Sequence, residues 1–594
     1  MKASNNDFSI HVATVNGSGS QTANTTLMRA VFQMGVPVSG KNLFPSNIAG
    51  LPTWFTIRVS ERGYLARTRR NDVLVAMNPE TSVEDIASMG PGSILLLNEG
   101  VPAPKIPDDR VVYKVPFNKL VEPLVADAKL RKLVVNMIYV GVVSHLLGID
   151  FEEVDHALTA QLGRKPKALD MNRAAVKLGA EYATEHLKPA PFRVERRNKT
   201  ADKVLIEGNQ AGALGALFGG VTFLSWYPIT PSSSLAESLQ GYLERYRRDP
   251  KTGEATFAVV QAEDEIAAIS AAIGASFAGA LGVTGSSGPG IALKTEAMGL
   301  ALMTELPLVI INVQRGGPST GLPTKTEQSD LFQAVYGRNG ECPIPVLAAR
   351  SPADCFETAY EACRIAIDCR TPVILLSDGS LANGSEPWLL PDVNSLPKID
   401  PDFATDPAGF MPYKRDEKLA RPWAIPGTPG LEHRIGGLEK DALTGNISYD
   451  AQNHEKMVRT RAEKVRRIAD RLEPTEPFFD PAGDVLVIGW GGTYGSITQA
   501  VIEARQTGLR VGHVHLRHVF PLPNDLTDIA ARYRNVLVPE LNMGQLRFHL
   551  RGQLGLESVG LNKIQGKPFH VAEVRSAIES LARRKHLPAE QEIA

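Results

Sequence analysis

Trp226-Tyr227-Pro228-Ile229-Thr230-Pro231-Ser232-Ser233-Ser234 is the stretch from which the rest of the chain can be read. It follows a strand-like run, Val221–Ser225, and leads into a helical pattern. Pro228 and Pro231 bracket Ile229-Thr230 and stiffen the turn, and Pro231 suits the start of a helix. The Thr230 hydroxyl and the serines after it are thereby fixed at a helix N-terminus, a good place for a carboxylate or carbonyl oxygen. A capping segment alone would explain the serines but not both prolines.

Two further junctions of the same kind follow. Val260-Gln261-Ala262-Glu263-Asp264-Glu265 places three carboxylates where a strand passes into a helix. Acidic residues there complement the helix dipole. The helix itself is made of small residues (Ala268, Ala271, Ala272, Gly274, Ala275, Ala278, Gly279), which permits very close packing. Thr284-Gly285-Ser286-Ser287-Gly288-Pro289-Gly290 then forms a turn whose backbone a ligand or second chain can approach.

Outward from these junctions, strands and helices alternate. Strands are expected at 204–206, 256–261, 281–284, 308–313, 345–348 and 372–376, with helices at 210–218, 263–277, 292–304 and 353–367. This is a doubly wound α/β domain over 203–385. A second such region covers 1–187, with strands at 8–15, 73–77 and 93–97 and helices after 23, at 133–147 and at 151–162. Its alternation predicts a parallel sheet covered on both faces. The charged, proline-containing stretch 188–202 reads as a linker. Residues 386–475 comprise an irregular arm, whose Phe410, Trp423 and Ile425 argue for order, and then a charged surface helix. A third α/β unit occupies 476–594, and its tail from Gly566 carries little pattern.

The 594 residues suffice for three to five domains. Lys plus Arg number 64 and Asp plus Glu 65. That balance argues against nucleic acid or an anionic membrane as the main partner. No stretch reaches the roughly 20 apolar residues of a membrane span, and no signal peptide follows Lys2; a cytoplasmic protein is expected. Cys342, Cys355, Cys363 and Cys369 form no C-x-x-C pair, so neither a disulfide framework nor a metal or cluster site is expected. Gly17-Ser18-Gly19-Ser20-Gln21-Thr22 could bind an anion at a helix N-terminus, but it lacks the third glycine of the dinucleotide fingerprint. Gly35–Asn42 is a near miss to a P-loop and reads as a loop. His513 and His515 share one strand face and read as structural histidines.

YPITPSS, QAEDEIAAI, TGSSGPG and the run Val313–Thr324 (VQRGGPSTGLPT) occur in an order and spacing that resemble the α subunit of 2-oxoacid:ferredoxin oxidoreductases, most closely the 2-oxoglutarate type. GSGSQTA with GKNLFPSNIAGLPTWFTIRVSERG resembles a fused γ-like domain, departing from the family's glycine-rich turn at Ser20 and Thr22. GDVLVIGWGGTYG and PELNMGQLR resemble the transketolase-like C-terminal domain. The resemblance implies thiamine diphosphate shared between two subunits. This chain would supply the pyrimidine-binding domain. A β subunit would supply the diphosphate–Mg²⁺ site and a [4Fe–4S] cluster in an (αβ)₂ assembly. This sequence accordingly lacks a Gly-Asp-Gly motif with its following Asn pair; Ser377-Asp378-Gly379 is only an echo.

The resemblance also implies residue roles. Glu263 would meet the pyrimidine ring, with Asp264 and Glu265 close enough to take its place, and Ser286 and Gly288 would line the cofactor. Thr230 and Arg315 would hold the 2-oxoacid, with Lys325 or a β-subunit residue as a second cation. Gly17 and Gly19 would touch coenzyme A. The implied reaction is reversible, CoA-dependent oxidative decarboxylation with ferredoxin as electron acceptor. Other 2-oxoacids, a lipoamide-linked dehydrogenase subunit and a non-catalytic scaffold are the alternative readings.

Overall fold

A computed structural model describes residues 4–44, 50–66, 71–188 and 190–584. The chain divides into two compact units, one made of residues 1–206 with 384–391 and 570–572, the other of the remainder.

The first unit is built on an eight-stranded sheet. Val111–Val115, Met89–Asn98, Asn71–Ala76 and Asp7–Val15 run parallel, as the alternation predicts. The sheet is mixed, however: Pro52–Ser60 pairs antiparallel with Asp7–Val15, and Val38–Leu43 antiparallel with Pro52–Ser60. The near-P-loop stretch is therefore largely a strand rather than a loop. Its polar, half-exposed side chains hide it from a search for apolar runs. Gly40 lets it lie close on the first helix, Ser20–Gln33, since an added β-carbon would come 2.2 Å from Met28 Sδ.

Gly384–Leu389 and Lys203–Glu207 complete the edge, so the strand expected to open the next domain belongs to this sheet. The stretch expected as a linker is strapped down. Phe192–Arg193 pairs with Ser4–Asn5, and the Arg197 and Lys199 amides bond the carbonyls of Met34 and Gly35 at 2.8 and 2.9 Å. The helices Ala128–Leu147 and Pro166–His186 cross at Gly141 and Gly179, where a β-carbon would come within 2.0 and 2.1 Å of the facing helix's carbonyl oxygens. The first of these, 20 residues long, is apolar enough to cross a membrane by length and composition, contrary to the reading of the sequence. Of its most apolar 18-residue window 72% is buried within the fold, as in a core helix.

The second unit holds two sheets. The larger runs Ala258–Gln261, Phe223–Trp226, Gly282–Ser286, Leu308–Gln314, Pro372–Asp378, Val346–Ala348, all parallel. His518–Phe520, from the C-terminal region, adds antiparallel at its end. The five-stranded sheet has a parallel core of Val511–Leu516, Gly483–Trp490, Tyr533–Glu540 and Val559–Asn562. The tail past Gly566 forms a helix, Val571–Arg583.

The irregular arm is ordered, as its aromatic residues predict. Trp423 is buried, its Nε1–H donates to the Ser276 carbonyl at 3.1 Å, and its ring lies 4.7 Å from that of Phe403. Phe410 and Ile425 stay nearer the surface. The arm and the helix Ala451–Ala469 lock to the core through Glu305. Its carboxylate accepts from Lys464 Nζ and Arg415 Nη1, each at 2.6 Å.

Candidate functional site

Ligands in open parallel sheets bind beyond the carboxyl ends of the strands, and the sequence motifs converge there in the second unit. The turn after Phe223–Trp226 carries Thr230, whose peptide to Pro231 is cis. Ser233 Oγ accepts from the Ile229 amide at 3.0 Å and holds the turn over the helix Ser233–Tyr246. Arg315, at the end of Leu308–Gln314, is 5% exposed and donates Nη1–H to the Thr230 carbonyl at 2.7 Å. Burial lowers its pKa, against the pull of Asp330 and Glu265, the two carboxyl groups that face it. Asp330 in turn accepts from Asn312 Nδ2 at 3.0 Å, and burial pushes its carboxyl up.

The three carboxylates at the helix start separate in role. Asp264 is the N-cap and accepts from the Ala267 amide at 2.7 Å. Glu263 is exposed. Glu265 is 7% exposed and falls on the helix's inward face with Ala268, Ile269, Ala272, Ile273 and Ser276. Its side chain runs under the TGSSGPG turn. An added β-carbon on Gly290 would come 2.6 Å from Glu265 Oε1 and 2.1 Å from Ser286 Oγ, so only glycine leaves room for both. Ser286 is fully buried, while nothing lies within 4 Å of the space over Gly288. Lys325 shares the Arg315 loop, its carbonyl accepting from the Gly316 amide at 3.0 Å, and its stem packs on the turn at Gly566.

Buried polar atoms without a hydrogen-bond partner concentrate at these strand ends: the hydroxyls of Ser225, Thr284, Ser286 and Ser377, Asn312 Oδ1 and Arg315 Nε. Each such atom costs about 1–3 kcal/mol when left unpaired. Grouped at the mouth of one sheet, they fit a site completed by a polar ligand. Ser377-Asp378-Gly379 is a cap: Asp378 accepts from Thr326 Oγ1 at 2.6 Å and from the Ser380 and Leu381 amides.

The first unit carries a second cavity, of about 690 Å³, beside Gly17 and Ser18. Gly17 and Gly19 both have positive φ, at 82° and 78°, and Gly19 precedes the helix Ser20–Gln33. Asn98, Asn118, Arg131 and Lys132 line the cavity's other walls. Ser18 Oγ, Asn98 Oδ1 and Arg131 Nε are buried there without a partner. In the five-stranded sheet His513 and His515 hydrogen-bond each other at 3.2 Å, and burial drives both pKa values down, that of His515 to about 3. They are neutral packing groups.

The 2-oxoglutarate oxidoreductase subunit KorA of Mycobacterium tuberculosis is 44% identical over 555 residues, covering 88% of this chain and 82% of the relative. This chain belongs to the 2-oxoacid:ferredoxin oxidoreductases. Three family descriptions fall on the oxidoreductase in turn. Residues 9–182 match pyruvate ferredoxin/flavodoxin oxidoreductase, 214–474 its thiamine diphosphate-binding domain, and 483–574 the core domain II of pyruvate:ferredoxin oxidoreductase. Subunit alpha of 2-oxoacid:ferredoxin oxidoreductase 1 from Aeropyrum pernix is 30% identical, with 97% of this chain and 98% of that one covered. Among solved structures, the 2-oxoglutarate:ferredoxin oxidoreductase of Magnetococcus marinus, with 2-oxoglutarate, coenzyme A and succinyl-CoA bound, superposes with a TM-score of 0.90 at 31% identity, covering 97% of this chain and all of that one.

The oxidoreductase thus brings Thr230, Arg315, Ser286 and Glu265 together, keeps Glu263 at the surface, and sets Gly17 beside a separate cavity. The sequence reading did not single out Asp330, Asn312 or Arg131. No sequence signal separates Glu265 from Glu263; once packing turns Ala268 and Ala272 inward, Glu265, three and seven residues before them, falls on the same helix face.

Proposed function

We propose that this chain is the α subunit of a 2-oxoglutarate:ferredoxin oxidoreductase. With its β subunit it would convert 2-oxoglutarate and coenzyme A to succinyl-CoA and CO₂ while two electrons pass to ferredoxin, and run in reverse it would fix CO₂. The cluster of buried Glu265 and Arg315 with half-buried Thr230 at the strand ends carries this reading. Thiamine diphosphate, when bound, supplies the carbanion chemistry that releases CO₂.

The chain's own residues bind and orient. Glu265 would offer its carboxyl group to the pyrimidine, and its burial favours it over the exposed Glu263 for this role. Ser286 and the open space at Gly288 on the turn 284–290 would line the place of that ring. Arg315, held on the Thr230 carbonyl, presents a planar fork that suits the substrate's planar carboxylate. Lys325 on the same loop is the candidate second cation for a dicarboxylate. The Gly17 cavity, with Arg131 and Lys132, suits the phosphates of coenzyme A.

Mg²⁺ and a [4Fe–4S] cluster belong to the β subunit in this reading, in an (αβ)₂ assembly in the cytoplasm, where the four free thiols stay reduced. Exposed Ile266, Leu293, Val260 and Tyr227 around the site support docking of that subunit there. Reconstitution with the β subunit and dye-reduction assays over a panel of 2-oxoacids test the proposal. Glu265→Gln should abolish CoA-dependent turnover while Glu263→Gln keeps it. Full activity in Glu265→Gln, or pyruvate preferred to 2-oxoglutarate, would overturn the assignment.

A further inference from the structure

Lys294 is a buried cation that none of these roles uses. It follows the short helix Gly288–Leu293 and is 0% exposed. Its Nζ donates to the main-chain carbonyl of Glu265 at 2.8 Å. Burying an ammonium costs several kcal/mol. A methionine would fill the same space without that cost, so packing alone does not account for a lysine. The charged groups that face it are Glu265 and Asp264, and Arg315 faces Glu265 from the strand end. Burial lowers Lys294 to about 8, against the pull of these two carboxylates, so the ammonium form predominates at neutral pH. The Glu265 carboxyl therefore lies between two cations, and the backbone that carries it is tied to one of them.

We propose that Lys294 is a positioning residue for Glu265: it tethers the first turn of the helix Glu265–Phe277 beneath the 284–290 turn and gives the Glu265 carboxyl a fixed positive neighbour. The inference rests on the reading of Glu265 given above. The tether fixes where the carboxyl meets the cofactor ring, and a displacement of about 1 Å at a reacting centre can cost 100-fold in rate.

The test uses the full chain reconstituted with its β subunit and compares Lys294→Met, Lys294→Gln and Glu265→Gln. Lys294→Met should keep its melting temperature. Its kcat should fall roughly 10- to 100-fold with KM for 2-oxoglutarate within about twofold, and its pH optimum should move upward. Hydrogen exchange in the peptide covering residues 262–270 should quicken. If Lys294→Met does not fold, Lys294→Gln carries the same readouts. Wild-type kcat, pH optimum and exchange in these variants would overturn the inference. So would a lower melting temperature with an unmoved pH optimum, the mark of a merely structural lysine. Full activity in Glu265→Gln would instead overturn the reading of Glu265, whereas an inactive Glu265→Gln beside wild-type-like Lys294 variants would overturn the role of Lys294 alone.

Discussion

Glu305→Gln should loosen the arm from the core. The Glu305 side chain is fully buried and ends the helix Thr295–Thr304 in a left-handed conformation, φ 49°. Lys464, fully buried, and Arg415, 9% exposed, both bind its carboxylate. Burial alone would raise its pKa, but the two cations outweigh burial and hold the carboxyl at about 2 instead of 4.5. At 1.36 kcal/mol per pH unit, that difference is worth about 3 kcal/mol of folding free energy. The folded pKa is depressed, so this stability is fully present above pH 4.5 and is lost as pH falls through 2. Seen from the other partner, the substitution leaves Lys464 buried without its counter-ion, the same interaction, at about 3–5 kcal/mol.

Urea unfolding followed by tryptophan fluorescence reads the effect, because Trp423 lies on the arm that the cluster anchors. The midpoint of that transition should drop at pH 7, and the gap from wild type should close toward pH 2. Replacing Glu305, Lys464 and Arg415 together by Leu, Met and Met should recover most of the loss, since an apolar set need not be worse than a buried ion cluster. An unmoved midpoint in Glu305→Gln would mean that this ion cluster does not anchor the arm.

Arg315→Lys keeps the charge but loses the planar fork, so KM for the 2-oxoacid should rise about 10-fold or more in steady-state dye-reduction assays, with kcat less affected. Arg131→Ala and Asn98→Ala should raise KM for coenzyme A several-fold and leave KM for the 2-oxoacid unchanged. Glu361 pairs with His518 Nε2 at 2.9 Å and faces Arg517 and Arg364, and although burial opposes them that hydrogen bond and these charges hold its carboxyl at about 2. Glu361→Gln should therefore lower the melting temperature at pH 7, and the difference should vanish as pH falls from 4.5 toward 2.

The large sheet of the second unit was legible because parallel strands buried on both faces read as continuous apolar runs: Leu308–Gln314 and Pro372–Asp378 fall within two residues of their expected bounds. The antiparallel pairing of Val38–Leu43 with Pro52–Ser60 was not, because the first of these strands is polar and half exposed. Nor was the joining of Lys203–Glu207 to Gly384–Leu389, since pairing across such a sequence distance leaves no local trace.

The site shows a subtler limit. The motifs identified the turn that holds Glu263, Asp264 and Glu265, yet not which of them points inward. Ordinarily the polar face of an amphipathic helix settles that question. The helix EIAAISAAIGASF is apolar all round, so its pattern carries no facing signal. Packing supplies the answer, since Ala268, Ala272 and Ile273 turn inward and take Glu265 with them. The opposite face, with Ile266, Ala267 and Gly274 exposed, has no core to cover it among the described residues. A helix whose outer face gains nothing from water beside an orphaned polar site is what a half-site needs. The feature that concealed Glu265 in the sequence is thus the same one that calls for a second subunit to close over it.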